Sequence, residues 1–164
     1  MSTSYQIFYD AFFDKIEKDD RFFDYFNLTP EESLELAKYR AKTYLKESIS
    51  RLTLACKPDV DFNDFNDTTE EINVDVTNAE VDLISNFMFE MFLFRDIAKL
   101  RVMSLNFTPT DLRVFSPSES RKTFMEMYNF VVTQNISLIS SYSNRDRLTG
   151  VLKGINYDSY NSDE

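Results

Sequence analysis

Glycine, cysteine, histidine and tryptophan are almost missing from this chain. Its 164 residues include two glycines, one cysteine, four prolines, no histidine and no tryptophan. Glycine normally makes up about 7% of a protein, and β-sandwiches and barrels need it at their many tight turns, so turn-rich β folds and glycine-loop phosphate cradles are excluded. Without histidine the chain lacks the commonest general acid/base and the commonest metal ligand, so Ser-His-Asp and Cys-His catalysis cannot be assembled. A single cysteine, Cys56, rules out an internal disulfide framework and a Cys-rich zinc site. It is expected to be a small apolar residue near a helix end. These absences leave a helical, non-catalytic protein with no cofactor.

Charge of one sign is also in short supply. There are 28 acids against 18 bases, a net of −10. A nucleic-acid binder displaces counterions with a basic footprint, and this balance is wrong for that. The deficit is local: residues 58–77 hold seven acids and no base, while residues 29–57 hold four acids and six bases. No apolar run is long enough for a bilayer span, and the N-terminus has no basic segment of the kind that opens a secretory signal. Synthesis in a cytoplasm, with Cys56 reduced, is the expectation.

What is present is a set of helix signals. Tyr5, Phe8, Phe12 and Ile16 recur at helical spacing, with Tyr9 and Phe13 widening the stripe. The aromatic patch Phe22, Phe23, Tyr25 and Phe26 closes that segment. Thr29-Pro30-Glu31-Glu32 is a capping box with proline at the first helical position. Leu34, Ala37, Ala41, Leu45, Ser48 and Leu52 then form a stripe of mostly small residues, which ends before Pro58. A second box, Thr77-Asn78-Ala79-Glu80, opens a helix containing FMFEMFLF at 87–94. Apolar nearly all round, this segment is predicted to be the central helix of a bundle. A third box, Ser116-Pro117-Ser118-Glu119, precedes Phe124, Met127, Tyr128, Val131, Leu138 and Tyr142, which keep the period to about residue 143. The fold class is therefore all-α: a four-helix, bundle-like domain over residues 1–143.

Two segments differ. Residues 59–76 form an acidic loop, read either as a small β-ribbon or as irregular, because Val74 and Val76 alternate with polar residues. Residues 144–164 hold both glycines, Gly150 and Gly154, and mix apolar residues with charges. They are expected to form an extended C-terminal arm that orders against a partner through Arg145, Arg147, Leu148, Val151, Leu152, Ile155, Tyr157 and Tyr160. The alternative is a tail folded onto its own domain.

Three further patterns stand out. Asp59, Asp61, Asn63, Asp67 and Glu70 occupy calcium-loop positions, but Asp64 stands where the sharp turn wants glycine and Asn66 where an apolar residue is usual. An acidic solvated loop is the better account, and no metal site is assigned. The carboxylate pairs Asp19/Asp20 and Glu70/Glu71 come with no nucleophile or metal motif and read as surface. Lys38, Lys42 and Lys46 form a basic ridge with Arg40 on the second helix. The ridge reads either as a solvated face or as an inter-subunit contact with Asp61, Asp64 and Asp67 of a neighbouring copy.

Taken in order, the aromatic first helix, the Thr29 box, the Asp-rich loop with Phe62 and Phe65, the Val76–Val81 helix start, the loop at 107–118, Lys122–Met127 and Ser141–Asp146 resemble the small head–tail connector (adaptor) proteins of tailed bacteriophages of Gram-positive hosts. The resemblance covers residues 5–147. It implies a helical, structural, non-enzymatic virion protein of the neck at the head–tail junction. Such proteins form a ring, usually a dodecamer, on the portal protein. The ring extends the DNA channel and presents a surface to the next neck or tail protein. Genomic DNA would pass nearby without specific binding, and no membrane is involved. The C-terminal extension, which here would be 144–160, commonly docks on the portal or a neighbouring subunit. The second functional expectation, from a different class, is a small acidic helical regulator that binds a host or phage protein.

Overall fold

The computed structural model describes residues 2–16, 28–106 and 117–154, with side chains throughout except at 96, 99–106 and 117–121. The aromatic patch at 22–26, the loop at 107–116, the cap at Ser116, the pair Asp19/Asp20, and Ile155, Tyr157 and Tyr160 lie outside the described residues.

Among the described residues four helices make the body: α1 (Tyr5–Ile16), α2 (Pro30–Ala55), α3 (Asn78–Asn106) and α4 (Pro117–Ser143). Local chemistry sets their ends. At α2 the Thr29 amide donates to Glu32 Oε2 at 2.8 Å, and the Glu32 amide donates back to Thr29 Oγ1 at 3.3 Å. Thr77 and Glu80 repeat this exchange at α3, at 2.8 and 3.3 Å. Each box satisfies amides that the first helical turn leaves without partners. Cys56 closes α2 by donating its amide to the Leu52 carbonyl at 3.0 Å, two residues before Pro58.

The acidic loop contains a ribbon, and the N-terminus joins it. Strands β1 (Thr3–Ser4), β2 (Phe65–Asn66) and β3 (Glu71–Ile72) form an antiparallel sheet in the order β1-β3-β2. Thr3 and Phe65 both sit opposite Ile72. Thr3 Oγ1 donates to the Val74 carbonyl at 2.7 Å and accepts from the Val76 amide at 3.0 Å. The Tyr5 amide donates to the Glu70 carbonyl. Residues just before α1 thus fasten the loop that leads into α3.

The core lies where α1, α2 and α3 meet. Tyr5, Phe8, Tyr9, Phe12 and Ile16 are buried, as their spacing predicts. Ala37 and Ala41 are buried on α2 and let it approach closely, while Leu45, Ile49 and Leu52 fill the lower turns. Phe12 lies 5.7 Å from the Tyr44 ring and 6.2 Å from that of Phe92. As expected from FMFEMFLF, α3 is central and packs against α1, α2 and α4. The stripes are not uniformly buried, however. Leu34 is exposed at the start of α2, and so are Met127 and Leu138 on α4. α4 rests mainly on α3, so only a narrow face of it is covered.

Candidate functional site

Glu80 organises the end of the molecule where the tail leaves α4. Its carboxylate is fully buried. One side of it caps α3 through the Thr77 amide. The Arg147 guanidinium reaches it from the tail, with Nε donating to Oε1 and Nη2 to Oε2, both at 2.8 Å. Tyr142, in the last turn of α4, donates its hydroxyl to Oε1 at 2.9 Å. Arg147 Nη2 also donates to the Asp75 carbonyl at 2.6 Å. The two-point fork suits arginine and not lysine. Helix start, helix end and tail are therefore tied at a single buried acid.

Burial by itself would raise the Glu80 carboxyl. The hydrogen bonds from Arg147, the Thr77 amide and Tyr142 outweigh it and hold the group below the ordinary glutamate range. The Glu80 hydrogen bonds raise Arg147 in turn. Burial and the Glu80 charge push the Tyr142 phenol well above its usual value. In α1, burial and the neighbouring acids Asp67 and Glu70 do the same to Tyr5, and burial and Glu70 to Tyr9.

These shifts fix the sign of the pH dependence. A depressed Glu80 contributes stability above the ordinary glutamate pKa of about 4.5, and that stability is lost as the pH falls through the lower folded value. Raised tyrosines contribute stability below their unfolded pKa of about 10 and lose it as the pH climbs past that point. Urea unfolding followed by circular dichroism should therefore show a plateau near neutrality and a fall on each side. The alkaline fall should be shallower in Tyr142→Phe. A protein as stable at pH 11 as at pH 8, by about the same measurement, would contradict these assignments.

Past Arg145 the chain forms a short hairpin. Arg145 and Leu152 make an antiparallel bridge. The Asp146 amide donates to the Val151 carbonyl and the Lys153 amide to the Asn144 carbonyl, both at 2.8 Å. Asp146 Oδ1 closes the turn by accepting from the Thr149 amide at 2.8 Å and the Thr149 hydroxyl at 2.7 Å. Gly150 has φ +70, with open space where a Cβ would stand. Only backbone strain opposes a side chain there, so Gly150→Ala should cost about 1–2 kcal/mol of hairpin stability. Faster amide exchange at Leu148–Leu152 with an unchanged global melt is the expected readout.

The candidate residues divide clearly. Arg147, expected to face a partner, is occupied by Glu80 and Asp75 of its own chain. Lys153 reaches Asp59 at 2.9 Å. Residues 144–154 therefore turn back onto the domain, and the boundary placed at 143/144 is crossed by a buried ion pair. Arg145 donates to the Gly150 carbonyl at 2.9 Å. Leu148, Val151 and Leu152 face outward, at 76%, 64% and 65% exposure. A half-open groove of about 200 Å³ adjoins the hairpin, lined by Leu83, Leu138, Tyr142 and Arg147 among others.

The basic ridge makes contacts within the chain. Lys46 pairs with Asp67 at 2.6 Å, and Lys42 reaches both Asp67 and Glu70 at 3.4 Å. The same ammonium groups lie over the rings of Tyr5 and Phe65. Asp61 accepts from the Asn63 amide, and Asp64 from the Asn73 side chain. The two segments are close in the fold because the ribbon packs beside α2, so each finds its counter-charge locally. Lys38 is half-buried. The calcium-loop oxygens are dispersed among these contacts, and no metal-holding group of acids and cysteine occurs among the described residues. Cys56 is half-buried, donates to the Leu52 carbonyl, and has its thiol pKa raised by burial.

A second buried network went unread in the sequence. Glu90 of α3 is buried, paired with Arg51 of α2 at 2.6 Å and bonded by the Asn135 amide of α4 at 2.7 Å. Two signals were available. Glu90 interrupts an apolar run, and Asn135 sits on the apolar face of α4 between Val131 and Ile139. A polar residue at such a position demands a buried partner.

No protein-family model, curated protein or solved structure is matched by the chain. Among the described residues, no helix is long and apolar enough to cross a membrane.

Proposed function

We propose that this chain is a virion structural protein, a head–tail adaptor that docks on the portal protein through the hairpin at 144–154. One observation carries the reading. The hairpin turns Leu148, Val151 and Leu152 outward and is nevertheless locked to the body by the buried Arg147–Glu80 pair. Exposed apolar surface forgoes about 25 cal/mol per Å² of burial, which a partner that covers it restores. A preformed tip also loses little conformational freedom on docking. Copies would assemble side by side on the portal and present a surface to the next neck protein. With a net charge of −10 the wall of such a ring lets DNA pass without holding it. Accordingly, the purified protein should not retard duplex DNA in a gel at physiological salt, and a salt-sensitive shift would contradict this.

The acidic regulator is a second reading, favoured by the seven acids of 58–77. Assembly separates the two, because a regulator copurifies with a single soluble partner and an adaptor with the portal. The direct test is binding to a phage portal protein, with the double variant Leu148→Asp/Val151→Asp as probe. Both side chains are exposed, so melting should be unchanged while binding weakens at least tenfold. Portal binding that is unaffected by the double variant would remove the hairpin as the docking element. No portal binding by the wild type would remove the adaptor.

A further inference from the structure

The outer surface of α4 has a pattern that neither the fold nor the hairpin uses. From Met127 to Ser143 the helix carries no charged residue, in a chain that is 28% charged. Much of this stretch is uncovered, since Val131 and Asn135 are its only buried residues. One flank presents Met127, Phe130, Gln134, Leu138 and Ser141, spaced three, four, four and three apart. All five are exposed, Phe130 at 62%. That spacing is the seam by which one helix meets another.

We infer that this flank of α4 pairs antiparallel with the same flank of a second copy, about a twofold axis at Gln134. Two features single out a second copy as the occupant. The first is charge. Copies of a protein at −10 repel one another, and a contact free of charges is where they meet without burying an unpaired ion. The second is the symmetry of the stripe. Gln134 is its midpoint: Phe130 and Leu138 lie four residues to either side, Met127 and Ser141 seven. Antiparallel pairing therefore sets Phe130 against Leu138, apolar against apolar, and Met127 against Ser141, large against small. A twofold contact requires this self-complementarity. The two central glutamines meet on the axis, where each side-chain amide can donate to the other's carbonyl.

The groove beside the hairpin falls into the same register. Ser141 and Leu138 line it together with Leu83 and Ala79. Pairing about Gln134 carries Met127 of one copy to Ser141 of the other, so an unbranched, adaptable side chain is delivered to an apolar opening of about 200 Å³. Asp82, an acid on the groove wall, is already paired with Lys15 at 2.9 Å. The stripe runs about 21 Å along the helix, at 1.5 Å per residue. This pairing does not depend on the adaptor reading.

Sedimentation equilibrium across a wide range of concentration, in a Cys56→Ser background, tests the pairing. The expected result is a reversible dimer that Phe130→Glu weakens at least tenfold without changing the melt. Mild oxidation should link Gln134→Cys to itself as a covalent dimer, and should not link Ile136→Cys, which lies on the opposite flank. A monomer at every concentration would overturn the proposal. So would a dimer that is indifferent to Phe130→Glu, or one that links through Ile136→Cys instead. If Phe130→Glu fails to fold, the pair of cysteine variants decides.

Discussion

Arg147→Ala is expected to destabilise the protein by about 3–5 kcal/mol, the cost of leaving a buried carboxylate without its cation. The wild-type side chains are 14% and 0% exposed, so the guanidinium is the cation that offsets the desolvation of Glu80. Three elements lose their tie at once. The Thr77 cap keeps its acid, but that acid is now an unpaired buried charge. Tyr142 keeps a partner in the same position. The hairpin keeps only its own turn and the exposed Lys153–Asp59 pair, of the kind that contributes about 0–1 kcal/mol. Arg147→Lys should recover only part of the loss, because an ammonium cannot span both carboxylate oxygens and the Asp75 carbonyl. Urea unfolding gives the magnitude, and limited proteolysis within 147–153 reports the released hairpin. A loss below about 1 kcal/mol would show that the pair is more hydrated than its geometry indicates. Pairing Arg147→Ala with Glu80→Gln in a double-mutant cycle isolates the coupling, since the two residues touch.

Phe12→Ala should have a comparable effect, about 3–5 kcal/mol. The ring is fully buried and lies within 6.2 Å of the rings of Phe13, Tyr44 and Phe92, so truncation opens a cavity where α1, α2 and α3 converge. The walls are aromatic side chains fixed by their helices, and they collapse poorly into the space. For a domain of this size each kcal/mol is about 2–4 °C, so the melting temperature should drop by about 10 °C. Phe12→Leu should cost far less. If alanine and leucine gave the same small loss, the three-helix junction would not be the centre of the core.

These two sites differ in how far the sequence reveals them. Phe12 is legible: it recurs with Tyr5, Phe8 and Ile16 at helical spacing, and burial follows from that spacing alone. The helix starts at Thr29 and Thr77 are legible for the same reason, since a capping box is complete within four residues. Arg147 and Glu80 are separated by 67 positions, and no local pattern joins them. Glu80 fits its helix-cap role so well that nothing in the sequence hints at a second partner. The β1 strand escapes notice because two residues carry no period, and Thr3 acts through its hydroxyl. The basic ridge and the acidic loop were each visible, but opposite charges in one sequence do not say whether they meet within a chain or between chains. In the fold Lys42 and Lys46 meet Asp67 of their own chain, because the β2–β3 turn lies beside α2.

The hairpin is where structure and function meet in this account. Its two-point anchor gives it a fixed direction, and Gly150 and Asp146 fix its turn. Its exposed leucines and valine are therefore held in place on the body and do not belong to a loose tail. On the proposed docking role, release of the hairpin by Arg147→Ala should weaken portal binding as well, in proportion to its loss of order.

An adaptor, as proposed, is built into the phage particle. Mass spectrometry of purified virions tests it most directly. Peptides of this chain at a stoichiometry near that of the portal protein, retained after density-gradient purification, are the predicted result. Full particles that lack the chain, while infected-cell lysate contains it, would contradict the adaptor and leave the soluble regulator in its place.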